Sequence, residues 1–176
     1  LVSQIGDRPL IRRMEDTVED MEATLETLLM LARTEQRQPD SEDVIVNDLA
    51  VNLMERLSPL ADRKQIRLQV RQTALLTVHS PEVALTIVLT NLVRNAINYS
   101  GSGDVTILVA ENTVHVVDYG AGMDADELAR ILKPFERGQS QEAGHGLGLA
   151  IVQRLCERYH WHLMVTSAPG RGTEVA

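Results

Sequence analysis

From Glu35 to Asp43 the chain reads Glu-Gln-Arg-Gln-Pro-Asp-Ser-Glu-Asp, a stretch without one apolar side chain and with Pro39 in its middle. It has nothing to bury and a residue that interrupts regular hydrogen bonding, so it reads as a linker. The hydrophobic period differs on its two sides. Before it, Ile11, Met14, Val18, Met21, Leu25, Leu28 and Ala32 alternate spacings of three and four, the a/d seam of a heptad helix. A lone helix cannot bury such a seam, so it needs an upstream partner, a second copy of the chain, or both. Leu1 to Ile5 reads as the tail of that upstream partner, ended by the turn-forming Gly6-Asp7-Arg8-Pro9. The chain divides into residues 1–38, a helical region with the start of the linker, and residues 39–176, a domain of mixed pattern.

The second part alternates short strands with helices. Val44 to Val46 predicts a strand, Asn47 to Arg63 a helix begun by Asn47, Ile66, Leu68 and Val70 an alternating strand, and Leu75 to Val78 another. Val105 to Val109 and Val114 to Val117 predict a hairpin through Glu111-Asn112. Asp124 to Leu132 and Leu147 to Tyr159 predict helices, and Leu163 to Thr166 and Thr173 to Val175 closing strands joined by Gly170-Arg171-Gly172. Such mixing predicts an α+β fold, a two-layer α/β sandwich of one sheet covered by helices on one face.

One helix carries an anomaly. With Ser80 as its N-cap and Pro81 at its first position, it turns Val83, Leu85, Leu89, Leu92 and Ala96 inward. Asn91, Asn95 and Asn98 then fall on one face. Asparagine is a poor helix former, because its side chain competes for nearby backbone groups. A helix that bears this cost three times in eight residues uses the stripe.

Two glycine elements follow. Asp118-Tyr119-Gly120-Ala121-Gly122 leaves an apolar strand, placing a fixed acceptor beside a backbone that a flat ligand can approach; an ordinary strand-to-turn exit has the same composition. Gly144-His145-Gly146-Leu147-Gly148-Leu149 runs straight into a helix, so its amides suit the phosphates of a nucleotide, although a hinge has the same residues. It is neither the dinucleotide fingerprint nor the P-loop. Between them lies Lys133 to Ala143, whose polar second half suits a lid. Phe135, the only Phe, anchors it, and Arg137 either meets phosphate or is a solvated charge.

The formal charge of −8 argues against non-specific binding to nucleic acid or to an anionic membrane surface. With 44% hydrophobic but only 3% aromatic residues, the core has to be aliphatic. The single cysteine, Cys156, suits a reducing compartment. No signal peptide or spanning segment is read. The chain opens at Leu1 without Met and ends at Ala176 within a strand pattern, as a piece excised from a longer protein does.

Taken in order, the asparagine helix, Asp-x-Gly-x-Gly, a phenylalanine before a polar lid and a glycine-rich helix start resemble the cytoplasmic part of bacterial two-component sensor histidine kinases. Their nucleotide domain shares the Bergerat ATP-binding fold with gyrase, mismatch-repair and chaperone ATPases. Asn91 to Ser100 is similar to the family's N box, Asp118 to Gly122 to its G1 box, Phe135 to its F box, Gly144 to Leu149 to its G2 box, and Gly170-Arg171-Gly172-Thr173 to its closing Gly-x-Gly-Thr turn. The resemblance implies ATP and Mg²⁺ as cofactors. It implies Asn95 as the Mg²⁺ ligand with Asn91 beside it, Asp118 as acceptor for the adenine amino group, and Tyr99 against the nucleoside. Gly120 and Gly122 shape the base pocket. Gly144, Gly146, Leu147 and Gly148 offer backbone near the phosphates, with Arg137 reaching in from the lid and Thr173 closing the site. Residues 9 to 34 resemble the second helix of the dimerisation and histidine-phosphotransfer bundle. A homodimer through that helix, a response-regulator receiver domain as partner, a cytoplasmic location and a parent anchored in the inner membrane are implied with it.

The chain also departs from the family. Lys is frequent where Asn98 stands, His145 replaces a Thr or Ser, and His160-Trp161-His162 replaces a His-Gly-Gly. The phosphoacceptor His is absent: none of His79, His115, His145, His160 and His162 has its setting. The expected function is the ATP-binding catalytic region of a sensor kinase, unable to phosphorylate itself as it stands. The alternatives are an ATP-driven conformational clamp of the same superfamily, against which the heptad helix and linker count, and a dimerising module with a degenerate pocket, for which Asn98 is the support.

Overall fold

The computed structural model describes residues 40–101, 103–131 and 147–176, with only the backbone of Leu147. The heptad helix, Phe135, Arg137, Gly144 and Gly146 lie outside the described residues, and so do the expectations that rest on them.

Strand β1, Glu42–Ile45, passes directly into helix α1, Val46–Arg63. The helix starts one residue earlier than Asn47 predicts, with Ile45 as an extended N-cap that offers no side-chain hydrogen bond. The orphan donor at the helix start is satisfied from a distance, because Val46 N donates to Leu76 O at 2.9 Å. Asn47 binds elsewhere, since its Nδ2 donates to Ala74 O and its Oδ1 accepts from Leu76 N, both at 2.9 Å. The side chain expected to cap the helix instead fixes the loop between β2, Ile66–Gln72, and β3, Thr77–Ser80.

Helix α2, Glu82–Tyr99, also begins differently from expectation. Ser80 closes β3, Pro81 takes the N-cap position, and the Ser80 hydroxyl donates to Pro81 O at 3.4 Å without capping the helix. Of the residues expected to face inward, Leu85, Leu89, Leu92 and Ala96 are buried and Val83 is half-buried.

The remaining elements are β4, Gly103–Ala110, β5, Thr113–Asp118, α3, Ala125–Ile131, α4, Leu147–Tyr159, β6, Val165–Ala168, and β7, Gly172–Val175. The hairpin β4–β5 turns at Glu111-Asn112, where Asn112 takes the left-handed conformation that asparagine tolerates, φ 62°. A single sheet was expected; among the described residues there are two. β1 and β3 form a separate antiparallel pair, and the main sheet runs β2-β4-β5-β7-β6, parallel only between β2 and β4. Beside this separate pair, Asn47 ties the loop before β3 to the start of α1.

The core is aliphatic, as the composition requires. Val105, Ile107 and Val109, alternate residues of β4, are fully buried together with Leu53 of α1, Val93 and Ile97 of α2, and Val152 and Leu155 of α4. Each such side chain contributes roughly 1.5–3 kcal/mol, so this layer contact is the main stabilising term of the domain. Cys156 belongs to the same core; burial pushes its thiol up, and the charge of Glu157 adds to the shift. A row of directly paired residues crosses the main sheet as Leu68, Val105, Asp118, Thr173 and Ser167. Paired residues share a face. The row is apolar at one end and polar at the other, and the polar end is where the site begins.

Candidate functional site

Asp118 is the last residue of β5 and is buried. Two backbone donors converge on one of its oxygens: Gly120 N reaches Oδ1 at 2.9 Å and Thr173 N at 3.3 Å. Among the described residues Oδ2 accepts no hydrogen bond, so it stays available to a ligand. Burial pushes the carboxyl above its ordinary value, while the bonds from Gly120 and Thr173 pull against that shift. The chain thus holds a fixed acceptor at the end of a strand, as the sequence led us to expect.

The turn after Asp118 is held by the closing strands. Met123 N donates to Ser167 Oγ at 2.9 Å, and Gly170 N donates to Ala121 O at 2.6 Å. Gly122 sits where no other residue fits, because its φ is +65° and a Cβ would strike the carbonyl of Ala168. Gly120 packs back onto the Tyr99 carbonyl and Ser100 Cα. The two glycines of the Asp-x-Gly-x-Gly element therefore dock the turn onto α2 and β6.

The asparagine helix and the glycine-rich helix start meet at Gly148. A Cβ there would lie 3.0 Å from Asn91 Oδ1 and 3.5 Å from Asn95 Oδ1, so glycine lets the first turn of α4 come up against both carboxamides. Asn91 Nδ2 donates to Ile87 O at 2.8 Å, which fixes its orientation and leaves Oδ1 toward Gly148. The Asn95 carboxamide makes no hydrogen bond among the described residues. Two neutral oxygen donors beside a helix N-terminus suit a hard cation and the anion it accompanies.

Asn98 behaves differently. It is buried, and its Oδ1 accepts from Lys64 Nζ at 2.7 Å across the seam between α1 and α2. The stripe of three asparagines thus splits into two at Gly148 and one at Lys64. Tyr99 is exposed at the end of α2. Ser100 is buried below Gly120, and its Oγ has no partner among the described residues.

Sequence reasoning did not single out Lys64, Ser100 or Ser167. Ser167 carried a usable signal, a polar residue in a short strand just before a glycine turn. Lys64 carried none, since it meets Asn98 only through the packing of two helices.

Comparison with known proteins agrees with this geometry. The family described as histidine kinase-, DNA gyrase B-, and HSP90-like ATPase matches residues 80–176. The sensor-like histidine kinase SenX3 of Mycobacterium tuberculosis is 30% identical over an alignment covering 98% of this chain and 46% of that protein. The phosphate regulon sensor protein PhoR of Pseudomonas aeruginosa is 29% identical, with 93% of this chain and 39% of that protein covered. The chain spans less than half the length of these curated relatives. Among solved structures, full-length ShkA in complex with AMPPNP superposes with a TM-score of 0.74 at 28% identity, covering 89% of this chain and 35% of that one. Site geometry, family match and structural likeness lead to one assignment: the chain belongs to the histidine kinase-, DNA gyrase B- and HSP90-like ATPase family, as the ATP-binding region of a sensor histidine kinase.

Proposed function

We propose that this chain binds ATP with Mg²⁺ and, in the whole protein, transfers the γ-phosphoryl group to a histidine carried outside the chain. The observation that carries this reading is the approach of Gly148 to the oxygens of Asn91 and Asn95, which sets a helix N-terminus beside two hard ligands. In this reading Asp118 Oδ2 accepts the adenine amino group, Tyr99 lies along the nucleoside, and the amides from Gly144 to Gly148 receive the phosphates. Thr173 closes the base end through its bond to Asp118, and Gly120 and Gly122 hold the turn that forms the pocket wall. Phe135 anchors the lid, and Arg137 supplies its cation. Asn98 acts indirectly, by holding Lys64 at the seam of the two helices.

The residues present fit the metal. Asn95 has a carboxamide with no hydrogen bond among the described residues, and the bond from Asn91 Nδ2 to Ile87 O points the remaining oxygen away from its own helix. Magnesium, when bound, neutralises charge on the phosphates during transfer. The protein's share of the catalysis is positioning, through the fixed acceptor at Asp118 and the Asn91 carboxamide held by Ile87, with the Asn95 oxygen beside it.

We infer further that the chain cannot phosphorylate itself, that the parent dimerises through residues 9 to 34, and that it passes phosphate to a receiver domain from the cytoplasmic side of the inner membrane. Among the described residues no helix is long and apolar enough to cross a membrane. Titration with ATP in the presence and absence of Mg²⁺ tests the binding, and the expected result is saturable heat that grows with the metal. Incubation with γ-labelled ATP tests the transfer. Label is expected on a separately supplied dimerisation hairpin bearing its histidine and not on the chain alone; label on the chain alone overturns the second statement, and absence of binding overturns the first.

A further inference from the structure

The ribbon of β1 and β3 buries one face and shows the other. Val44 and its pairing partner Val78 belong to the inner face, whereas Ile45 and its partner Thr77 belong to the outer one. Two residues before Thr77, Leu75 is 74% exposed, and Ile45 is 42% exposed. Val51 borders them from α1, one turn after Asn47, whose carboxamide binds Ala74 and Leu76 on either side of Leu75. A polar edge closes the patch, because His79 Nδ1 and Asp43 Oδ1 stand 2.8 Å apart at the next rung of the same face. A strand face turned to water is ordinarily polar, and apolar residues inside a polar rim mark a contact surface.

The same chain carries a segment that needs such a surface. From Ile11 to Leu28 every position outside the heptad seam is polar or charged, Ala23 excepted. The pattern then breaks, for Leu29, Met30 and Leu31 follow Leu28 directly before Ala32 resumes the seam. In the heptad these three take positions e, f and g, and f lies opposite the seam, out of reach of whatever helix the seam meets. A helix apolar all round has to be covered on more than one side. Ten residue steps separate Ala32 from Glu42, a tether of at most about 35 Å that ends three residues before Ile45. A short tether holds its two ends at an effective concentration on the order of millimolar, so a patch too small to capture a separate protein suffices for a segment of the same chain.

We propose that the outer face of the β1–β3 ribbon, at Ile45, Val51 and Leu75, is the seat of the apolar end of the heptad helix, with Met30 of the same chain at its centre. The seam stays free for its own helical partner, since Leu28 and Ala32 lie across the heptad from Met30. Because β3 runs through Ser80 and Pro81 into α2, the seat also sets the direction of the asparagine helix relative to the heptad helix. None of this depends on the nucleotide-binding reading.

The test uses the full 176-residue chain. Under mild oxidation Met30→Cys/Leu75→Cys is expected to form a disulfide within one chain, identified by peptide mapping of the band that keeps the single-chain mass on a non-reducing gel. Met30→Cys/Thr166→Cys is the comparison, because Thr166 is exposed on β6 at the far edge of the main sheet. Its bond is expected to form at least about tenfold more slowly, since nothing holds those two ends together. Cys156 is buried in the core and does not compete. Equal rates for the two pairs overturn the proposal, and so does the absence of a bond at position 75. A bond formed only between two chains overturns it as well, since the seat then belongs to a second copy. Hydrogen exchange gives an independent reading. Leu75→Glu is expected to speed exchange across residues 28–32 about tenfold, the worth of one buried apolar side chain, and to leave α2 unchanged. Leu75→Met is expected to keep the original rate. Unchanged exchange across residues 28–32 in Leu75→Glu overturns the proposal, and so does an equal rise in α2, since a residue that only braces the ribbon acts that way.

Discussion

Lys64 Nζ donates to Asn98 Oδ1 at 2.7 Å, joining the end of α1 to the end of α2 at a buried carboxamide. The contact decides what a lysine at position 98 would do. Asn98→Lys places a second ammonium against the first in a half-buried seam and removes the acceptor, a loss of about 1–3 kcal/mol. The expected result in thermal unfolding is a lower midpoint with no gain in ATP affinity. The exchange Lys64→Asn/Asn98→Lys restores a donor and an acceptor and is expected to recover most of the lost stability. Tighter ATP binding by Asn98→Lys at unchanged stability would place position 98 against the nucleotide instead.

Asp118 links binding to pH. Its carboxyl is raised above the ordinary value by burial, so within the window between the unfolded and folded values the native state holds more protons than the unfolded state. The sign follows: this group's contribution to stability is fully present below the unfolded value and is lost as pH rises through the folded one. Asp118→Asn removes that loss, so the variant is expected to gain stability over the original chain as pH rises from acid to neutral, with the two converging in acid. The Asn oxygen still accepts from Gly120 and Thr173, which turns its amide nitrogen to the side where Oδ2 stood. A donor then faces the purine amino group, and ATP affinity is expected to fall about 10- to 100-fold. Denaturant titrations across pH, paired with nucleotide titrations, check both halves.

Two glycines with similar backbone angles separate conformational cost from steric cost. Gly122 has φ +65° and a carbonyl where its Cβ would go, while Gly170 has φ +73° and nothing within 4 Å. Gly170→Ala bears only the left-handed penalty, about 1–2 kcal/mol. Gly122→Ala bears that penalty and must also push Ala168 off the turn after Asp118, so a loss of roughly 3 kcal/mol or more is expected. Equal midpoints for the two variants would mean that the turn does not hold this position in solution.

The asparagine stripe marks where the sequence was legible and where it stopped. Helical periodicity correctly sets Asn91, Asn95 and Asn98 near one azimuth of α2, and the glycine-rich start of α4 was read to its first residue, Leu147. Azimuth is only half of a position. Asn98 lies about 10 Å further along the axis than Asn91, so a different neighbour crosses the stripe there. Gly148 meets the first two carboxamides and Lys64 meets the third. The misread helix starts have a related cause. Ser80 and Asn47 have the chemistry of N-caps, but Asn47 gains two hydrogen bonds to the loop at Ala74 and Leu76 that a local cap would forgo, and Pro81 stands in the capping position after Ser80. Local preference proposes such roles, and tertiary contacts that satisfy more donors override them.

The last test concerns the metal and uses Gly148. An alanine there brings its Cβ to 3.0 Å from Asn91 Oδ1 and 3.5 Å from Asn95 Oδ1, a contact that a rotating carboxamide relieves by a few tenths of an ångström. Asn91 cannot rotate without straining the bond from its Nδ2 to Ile87 O, so the adjustment falls on the orientation of the two oxygens. Helix propensity favours alanine over glycine by about 1 kcal/mol in a helix interior, which offsets part of the contact cost. Stability is therefore expected to change by less than about 1 kcal/mol, while the metal-dependent share of ATP affinity falls about tenfold or more, because oxygen ligands of a small hard cation tolerate little displacement. Titrating the variant with ATP alone and with ATP and Mg²⁺ separates the two effects. Unchanged metal dependence at unchanged stability would show that Asn91 and Asn95 do not hold the ion.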